Sequence, residues 1–194
     1  MSSAGHYKST IVPLVMSWLK GDKTLSKKFM IAFNQKGGIE GWAQVEFALA
    51  LSNMFTTVQR EVPVYTNKAL RADIVCTNGI GAAAVHEIVE LKCESIFQSG
   101  LNANNLDGRI KDDASKFALV DKNLGFTAAN TGFTAIGISI ANSTTKGLLS
   151  SLSWPNKAGP AYDRQNSAFW NVALIDPGND SYGVNLFYKD CSPP

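Results

Sequence analysis

Val85-His86-Glu87-Ile88-Val89-Glu90-Leu91-Lys92-Cys93 reads as a β-strand carrying an acid and a base two residues apart. Side chains alternate across a strand, so His86, Ile88, Glu90 and Lys92 share one face. The other face carries Val85, Val89, Leu91 and Cys93, with Glu87 as its polar exception. A carboxylate and an ammonium held side by side on a rigid strand can bind a metal ion and steady a phosphate. An ordinary ion pair on a solvated strand uses the same two residues. Glu-x-Lys alone arises easily by chance, so the neighbouring segments decide between the two.

Upstream, Asn78-Gly79-Ile80-Gly81-Ala82 is a turn signal joining this strand to one over Arg71–Thr77, and together they make a hairpin. A further strand is expected over Val62–Tyr65. Asp73 lies near the start of its strand, between Ala72 and Ile74. Strands disfavour aspartate, so Asp73 reflects either a functional demand or the tolerance of a frayed strand end. Before the strands, Ile39 to about Phe55 reads as a helix in which Ile39, Trp42, Ala43, Leu49 and Ala50 fall at helical offsets around Glu46. Glu46 then lies in an apolar stripe, where a carboxylate is costly unless it is paired or coordinates something. A salt bridge to a neighbouring Lys or Arg is one answer, and a metal site is the other. Glu40, in the first turn, is explained by the helix dipole.

Working outward again, residues 7–20 and 24–35 are expected to form two short helices split by Gly21-Asp22, the second opening at Thr24-Leu25-Ser26-Lys27 and ending at Gly37-Gly38. Lys20, Lys23, Lys27, Lys28 and Lys36 make this the most basic region, read as a solvated face in preference to a phosphate-contacting surface. After the signature strand come a loop over Ser99–Asp107 and a helix from about Gly108 to Val120. Ile110, Ala114, Phe117 and Ala118 line one side of that helix, with Arg109, Lys111, Asp112, Asp113 and Lys116 around the rest. Thr131–Ala141 is a buried strand by composition. Ser143–Ser153 reads as helical and Pro155–Ala168 as a loop. Trp170–Ile175 and Tyr182–Tyr188 form a second hairpin across Pro177-Gly178-Asn179-Asp180. The alternation predicts an α/β fold, a mixed central β-sheet flanked by helices.

The 194 residues suit a single domain with a real core, and 45% hydrophobic with 18% charged residues fits a globular chain. A net charge of +2 neither announces nor repels nucleic acid. Cys76, Cys93 and Cys191 have no paired spacing, so neither a disulfide framework nor a structural zinc site is expected. The apolar run Ile11–Leu19 is too short to span a bilayer and lacks the flanks of a signal peptide. An intracellular location, cytoplasmic or nuclear, is therefore expected, with no membrane partner. Two histidines, His6 and His86, are too few for histidine-based phosphodiesterase or HNH chemistry. No nucleotide-hydrolase phosphate loop and no Gly-x-Ser-x-Gly elbow occurs. His86 is read as structural.

Glu46, Asp73 and Glu90-x-Lys92, in that order and context, resemble the PD-(D/E)xK nuclease superfamily, the restriction-endonuclease-like fold. The resemblance covers a core of about residues 39–141, with residues 1–38 as an N-terminal helical extension. It continues through Ile110-x-x-Asp113-x-x-Lys116-Phe117, which is similar to the helix following the signature strand in several such families, where its polar residues reach toward the active site. Ala72 stands where the name-giving proline would be.

The resemblance implies a Mg²⁺- or Mn²⁺-dependent nuclease with Glu46, Asp73, Glu90 and Lys92 as its catalytic set. Asp73, Glu90, the backbone carbonyl of Leu91 and Glu46 would be the metal ligands, with Lys116 and Arg109 on substrate phosphate. The chemistry agrees with that donor set, because Mg²⁺ takes a few carboxylates plus waters and phosphate oxygens. Lys92 would orient the water or stabilise developing charge, and whether it also deprotonates the water is set by its pKa. DNA is expected ahead of RNA as the partner, and a homodimer or a targeting or inhibitory protein is compatible with so compact a chain. Two alternatives stand beside this one. The first is a catalytically inactive restriction-endonuclease-like fold serving as a binding or structural module. The second is an unrelated α/β domain whose carboxylates make structural ion pairs.

Overall fold

The computed structural model describes residues 10–21, 24, 28, 31–32, 39–95, 103–142, 168–175 and 182–191. Helix α1 (Ile11–Gly21) accepts Pro13 in its first turn, where a missing N–H costs no hydrogen bond. Helix α2 (Ile39–Leu51) buries Ile39, Ala43, Phe47 and Leu51, one residue per turn along a single line. Three strands follow, β1 (Thr57–Val62), β2 (Ala72–Asn78) and β3 (Val85–Ser95), then helix α3 (Ala103–Ser115), β4 (Thr131–Asn142), β5 (Ala168–Ile175) and β6 (Tyr182–Cys191).

The strands form one six-stranded mixed sheet in the order β1-β2-β3-β4-β6-β5. Every neighbouring pair is antiparallel except β3 and β4, which run parallel from His86↔Thr131 to Ser95↔Ile140. A parallel pair needs a crossover connection, and α3 supplies it, packing against both strands it joins. The β2–β3 hairpin closes through Gly79 and Gly81, whose φ values of 81° and 61° explain glycine at both positions.

Two apolar layers sandwich the centre of the sheet. On one face Ile74, Cys76, Val89, Leu91, Cys93, Ile136 and Ile138 pack with Ile11, Val12 and Val15 of α1 and with Ile39, Ala43 and Phe47 of α2. On the other face Val75, Ile88 and Phe133 pack with Val64 and Tyr65 and with Phe117, Val120 and Phe126, which follow α3. Both faces of β3 are thus covered, which is why it tolerates no water-facing side. Glu87 is a carboxylate in this buried strand, fully covered on the α1 side. Its Oε1 accepts the Thr10 N–H at 2.8 Å, so the carboxylate meets the N-terminus of α1 where unpaired donors and the helix dipole favour it. Among the described residues no helix is long and apolar enough to cross a membrane.

The largest differences from the sequence reading fall in α2, the first strand and α3. Helix α2 ends at Leu51, not near Phe55; Met54 and Phe55 N–H groups turn back onto the Leu51 carbonyl, and Phe55 reaches the core from that turn. The first strand is Thr57–Val62, not Val62–Tyr65. Pro63 cannot donate to a ladder and ends it, after which Tyr65 bridges Val120 instead. Helix α3 begins at Ala103, inside the expected loop, and tightens into a 3-10 turn over Lys116–Leu119. The expected second helix is described at Thr24, Lys28, Ile31 and Ala32, with helical backbone at the last three. The rest of it lies outside the described residues, as do the basic side chains of Lys20, Lys23, Lys27 and Lys36, the expected helix over Ser143–Ser153, and the loop up to residue 167.

Candidate active site

The β2–β3 ladder runs from Asn78↔Val85 to Ile74↔Val89 and stops there, while β3 stays paired to β4. On the other side of β2 the pairing passes from Arg60↔Ile74 to Val62↔Ala72 and skips Glu61, the residue opposite Asp73. Glu61 holds φ 55°, a left-handed conformation that side chains rarely adopt. Asp73 therefore stands where β2 loosens from both of its neighbours.

Its carboxylate bridges the opening. Asp73 Oδ2 accepts the Leu91 N–H at 2.6 Å, and Oδ1 accepts the Gln44 side-chain amide at 2.8 Å. Gln44 Oε1 in turn accepts Arg60 Nη2 at 2.8 Å. Glu90, 1% exposed, takes the Tyr65 hydroxyl on Oε1 and Lys116 Nζ on Oε2 at 2.9 Å. Lys116 also lies 2.7 Å from Asp113 Oδ1, one turn earlier on the same helical run. Lys92 Nζ sits 3.3 Å from Asp113 Oδ2 and 3.3 Å from Glu40 Oε1, and donates to the Leu91 carbonyl at 3.2 Å. Glu40 Oε2 accepts the Cys93 N–H at 3.2 Å and Arg109 Nη2 at 3.3 Å.

Four carboxylates (Glu40, Asp73, Glu90, Asp113) thus face three cationic side chains (Lys92, Arg109, Lys116). Burial dominates the proton affinities of the two strand carboxylates, Asp73 and Glu90. Burial pushes Asp73 up to about 6, against the Leu91 N–H and Lys92, which favour its charged form. Burial, then the neighbouring Asp73 charge, pushes Glu90 up to about 7, with Tyr65 and Lys116 opposing. Burial works to discharge Lys92, but Glu40, Asp113 and Asp73 outweigh it and hold its pKa above the ordinary lysine value. Lys116 is likewise raised: burial is exceeded by its hydrogen bonds to Asp113 and Glu90. Both lysines are ammonium ions at neutral pH.

Of the side chains the sequence nominated, the structure brings together Asp73, Glu90, Lys92 and Lys116, and Arg109 joins through Glu40. Glu46 does not join. Its Oε2 pairs with Lys28 Nζ at 2.9 Å, the salt bridge that answers the sequence's question about this carboxylate. The helix phase explains the error. The buried line of α2 runs through Ile39, Ala43, Phe47 and Leu51, while Leu49, counted as apolar stripe, is 62% exposed. At about 100° per residue, Glu40 and Gln44 are about 40° apart and Glu46 lies about 160° from Gln44. Phasing the helix on Phe47 and Leu51 would have pointed to Glu40 and Gln44. Tyr65 had no comparable signal, because it enters from an irregular segment. His86 pairs through Nδ1 with Thr77 Oγ1 at 3.0 Å and lies edge-on to Phe126, away from this cluster.

As a donor set for a divalent cation, Asp73, Glu90 and the Leu91 carbonyl are of the right kind, hard oxygens on adjacent strands. Each of the four carboxylate oxygens of Asp73 and Glu90 accepts one hydrogen bond, which leaves a further lone pair on each. Among the described residues no group of three or more His, Cys, Asp or Glu side chains stands in metal-binding geometry. Compared with known proteins, the chain matches no family model, no curated protein and no solved structure.

Proposed function

We propose that this chain hydrolyses phosphodiester bonds of nucleic acid, DNA in preference to RNA, at a Mg²⁺- or Mn²⁺-dependent site of the PD-(D/E)xK type. The observation that carries the reading is the buried pair Asp73 and Glu90 at the parting of β2 and β3, with Lys116 paired to Glu90 and Lys92 between Glu40 and Asp113. The resemblance expects these two carboxylates on adjacent strands, a helix before them, and polar side chains reaching back from the helix that follows. Gln44 of α2, and Asp113 and Lys116 around the end of α3, support that expectation.

In this reading Asp73, Glu90 and the Leu91 carbonyl hold the cation, which supplies a Lewis acid and an activated water when bound. Glu40 takes the role that the resemblance gave to Glu46, because it is the α2 carboxylate within reach of Lys92. As an ammonium between Glu40 and Asp113, Lys92 is placed to stabilise charge on the crowded phosphate. Lys116 and Arg109 each pair with a site carboxylate, and either can turn a donor toward a phosphate oxygen. Tyr65 fixes the orientation of Glu90 from behind.

One observation favours the alternative, an inactive fold serving as a binding or structural module. Every Asp73 and Glu90 oxygen already has a protein donor, as a purely structural network would require. Incubating the protein with plasmid DNA or structured RNA in Mg²⁺, in Mn²⁺ or in EDTA separates the two. We expect metal-dependent cleavage that falls by at least about 100-fold in both Asp73→Ala and Lys92→Ala. No cleavage of either substrate in any metal sinks the enzyme reading.

A further inference from the structure

A cavity of about 350 Å³ opens on the face of the sheet that carries Glu90, over Thr131, which pairs in register with His86 four residues before Glu90, a distance of about 13 Å along the strand. Phe117, Val120 and Phe126 wall it, Thr131 is buried at its base, and Lys122 and Thr127 stand exposed at its rim. A packed path links it to the site. Phe117 directly follows Lys116, the partner of Glu90, and lies edge-on to Phe133 with ring centroids 5.5 Å apart. Phe133 pairs in register with Ile88, two residues before Glu90 on β3 and on the same side of the sheet, a step of about 7 Å.

We propose that this cavity seats one unpaired nucleobase of the strand being cut, so that the substrate is single-stranded or locally unpaired nucleic acid. The proposal rests on the nuclease reading and names its substrate class. Three features of the cavity carry it. Aromatic rings and small apolar side chains offer a surface on which any base can stack, and the Thr127 and Thr131 hydroxyls, which donate to Asn130 Oδ1, keep lone pairs that can accept from a base N–H. Among the described residues the one charged side chain lining it is Lys122, whose ammonium attracts the phosphates that accompany a base. Its volume is at the small end of ligand sites, enough for a single base and far too small for a paired segment. A base within a duplex would have to leave its stack to enter, as bases do in enzymes that act on flipped nucleotides.

The test is fluorescence anisotropy of the full chain in EDTA with a short single-stranded DNA, the same sequence as a blunt duplex, and the strand with abasic sites. Cleavage of each DNA in Mg²⁺ is measured alongside. Two variants reach the cavity without opening the core. Ala128→Leu fills it from a half-buried position, and Lys122→Glu reverses the charge at its rim. The single strand should bind at least about tenfold more tightly than the duplex or the abasic strand, and each variant should lose about tenfold or more of that affinity. Circular dichroism checks that both variants fold; if one does not, the abasic comparison decides alone. Equal affinities for the three DNAs, or single-strand affinity untouched by both variants, overturn the proposal, and the second outcome leaves the cavity to an apolar side chain of a protein partner. Pocket-dependent binding of the single strand without cleavage in any metal upholds the base site and removes the nuclease. Cleavage of duplex and single strand alike, insensitive to both variants, does the reverse.

Discussion

At Lys92 burial and charge pull in opposite directions, and the carboxylates around it win. Asp73 and Glu90 meet the reverse situation. Their ordinary values of 3.8 and 4.5 rise to about 6 and about 7, so the fold binds these protons more tightly than the unfolded chain does. Their stabilisation is therefore complete below the ordinary carboxylate values and is lost as pH climbs through 6 to 7. In metal-free buffer the melting temperature of the wild type should rise, relative to Asp73→Asn, as the pH is lowered from about 7.5 to about 5. Parallel profiles in scanning calorimetry would contradict this. Glu40 and Glu46 make the second contrast of this scale. Glu40→Gln should slow cleavage by about 10- to 100-fold through misplacement of Lys92. Glu46→Gln should leave the rate nearly unchanged and cost at most about 1 kcal/mol by denaturant unfolding, the worth of a partly exposed ion pair. The reverse ranking returns Glu46 to the site. Glu90 and Lys92 were legible as site candidates in the sequence because a strand's period of two is rigid, and Asp73 because strands disfavour aspartate. Glu40 was not, because the helix phase hung on which apolar residues were counted.

Among the elements, β3, β4, β5 and β6 lie close to where their composition put them, since buried apolar strands advertise themselves. The edge strand β1 was misplaced for the opposite reason: most of Thr57–Val62 is exposed, and an edge facing water has no hydrophobic pattern to read. That same strand holds the strained residue of the site. Glu61 is exposed, has φ 55° and lies opposite Asp73. Its backbone carbonyl accepts Arg71 Nη1 at 2.8 Å, which helps to hold the kink. Relief of a left-handed side-chain clash exceeds the added freedom that glycine gives the unfolded chain. Glu61→Gly should therefore stabilise the protein by about 0.5–1 kcal/mol in urea unfolding. Glu61→Val, branched at Cβ, should destabilise it. Destabilisation by glycine would mean that the conformation carries no strain.

For the whole molecule, the sheet order matters more than any single strand. Two antiparallel pairings bring β1 and β2 to one side of β3, and the crossover through α3 brings β4 to the other. The site occupies the place where β3 keeps its parallel neighbour and parts from its antiparallel one. Helix α2 approaches that parting from one face and the end of α3 from the other, which is how side chains distant in sequence share one charge network. The sequence supplied the alternation from which a mixed sheet follows, but not the parting of β2 and β3, which arises from long-range pairing. The central claim is that Asp73 and Glu90 hold a cation that makes this network hydrolytic. Its most direct test is the initial rate of cleavage of single-stranded DNA, with plasmid DNA alongside, as a function of Mg²⁺ concentration for the wild type, Asp73→Asn and Glu90→Gln. The account predicts a saturable Mg²⁺ dependence in the wild type and its disappearance in both variants. Cleavage that persists in EDTA, or that survives either substitution with the same Mg²⁺ response, would contradict it.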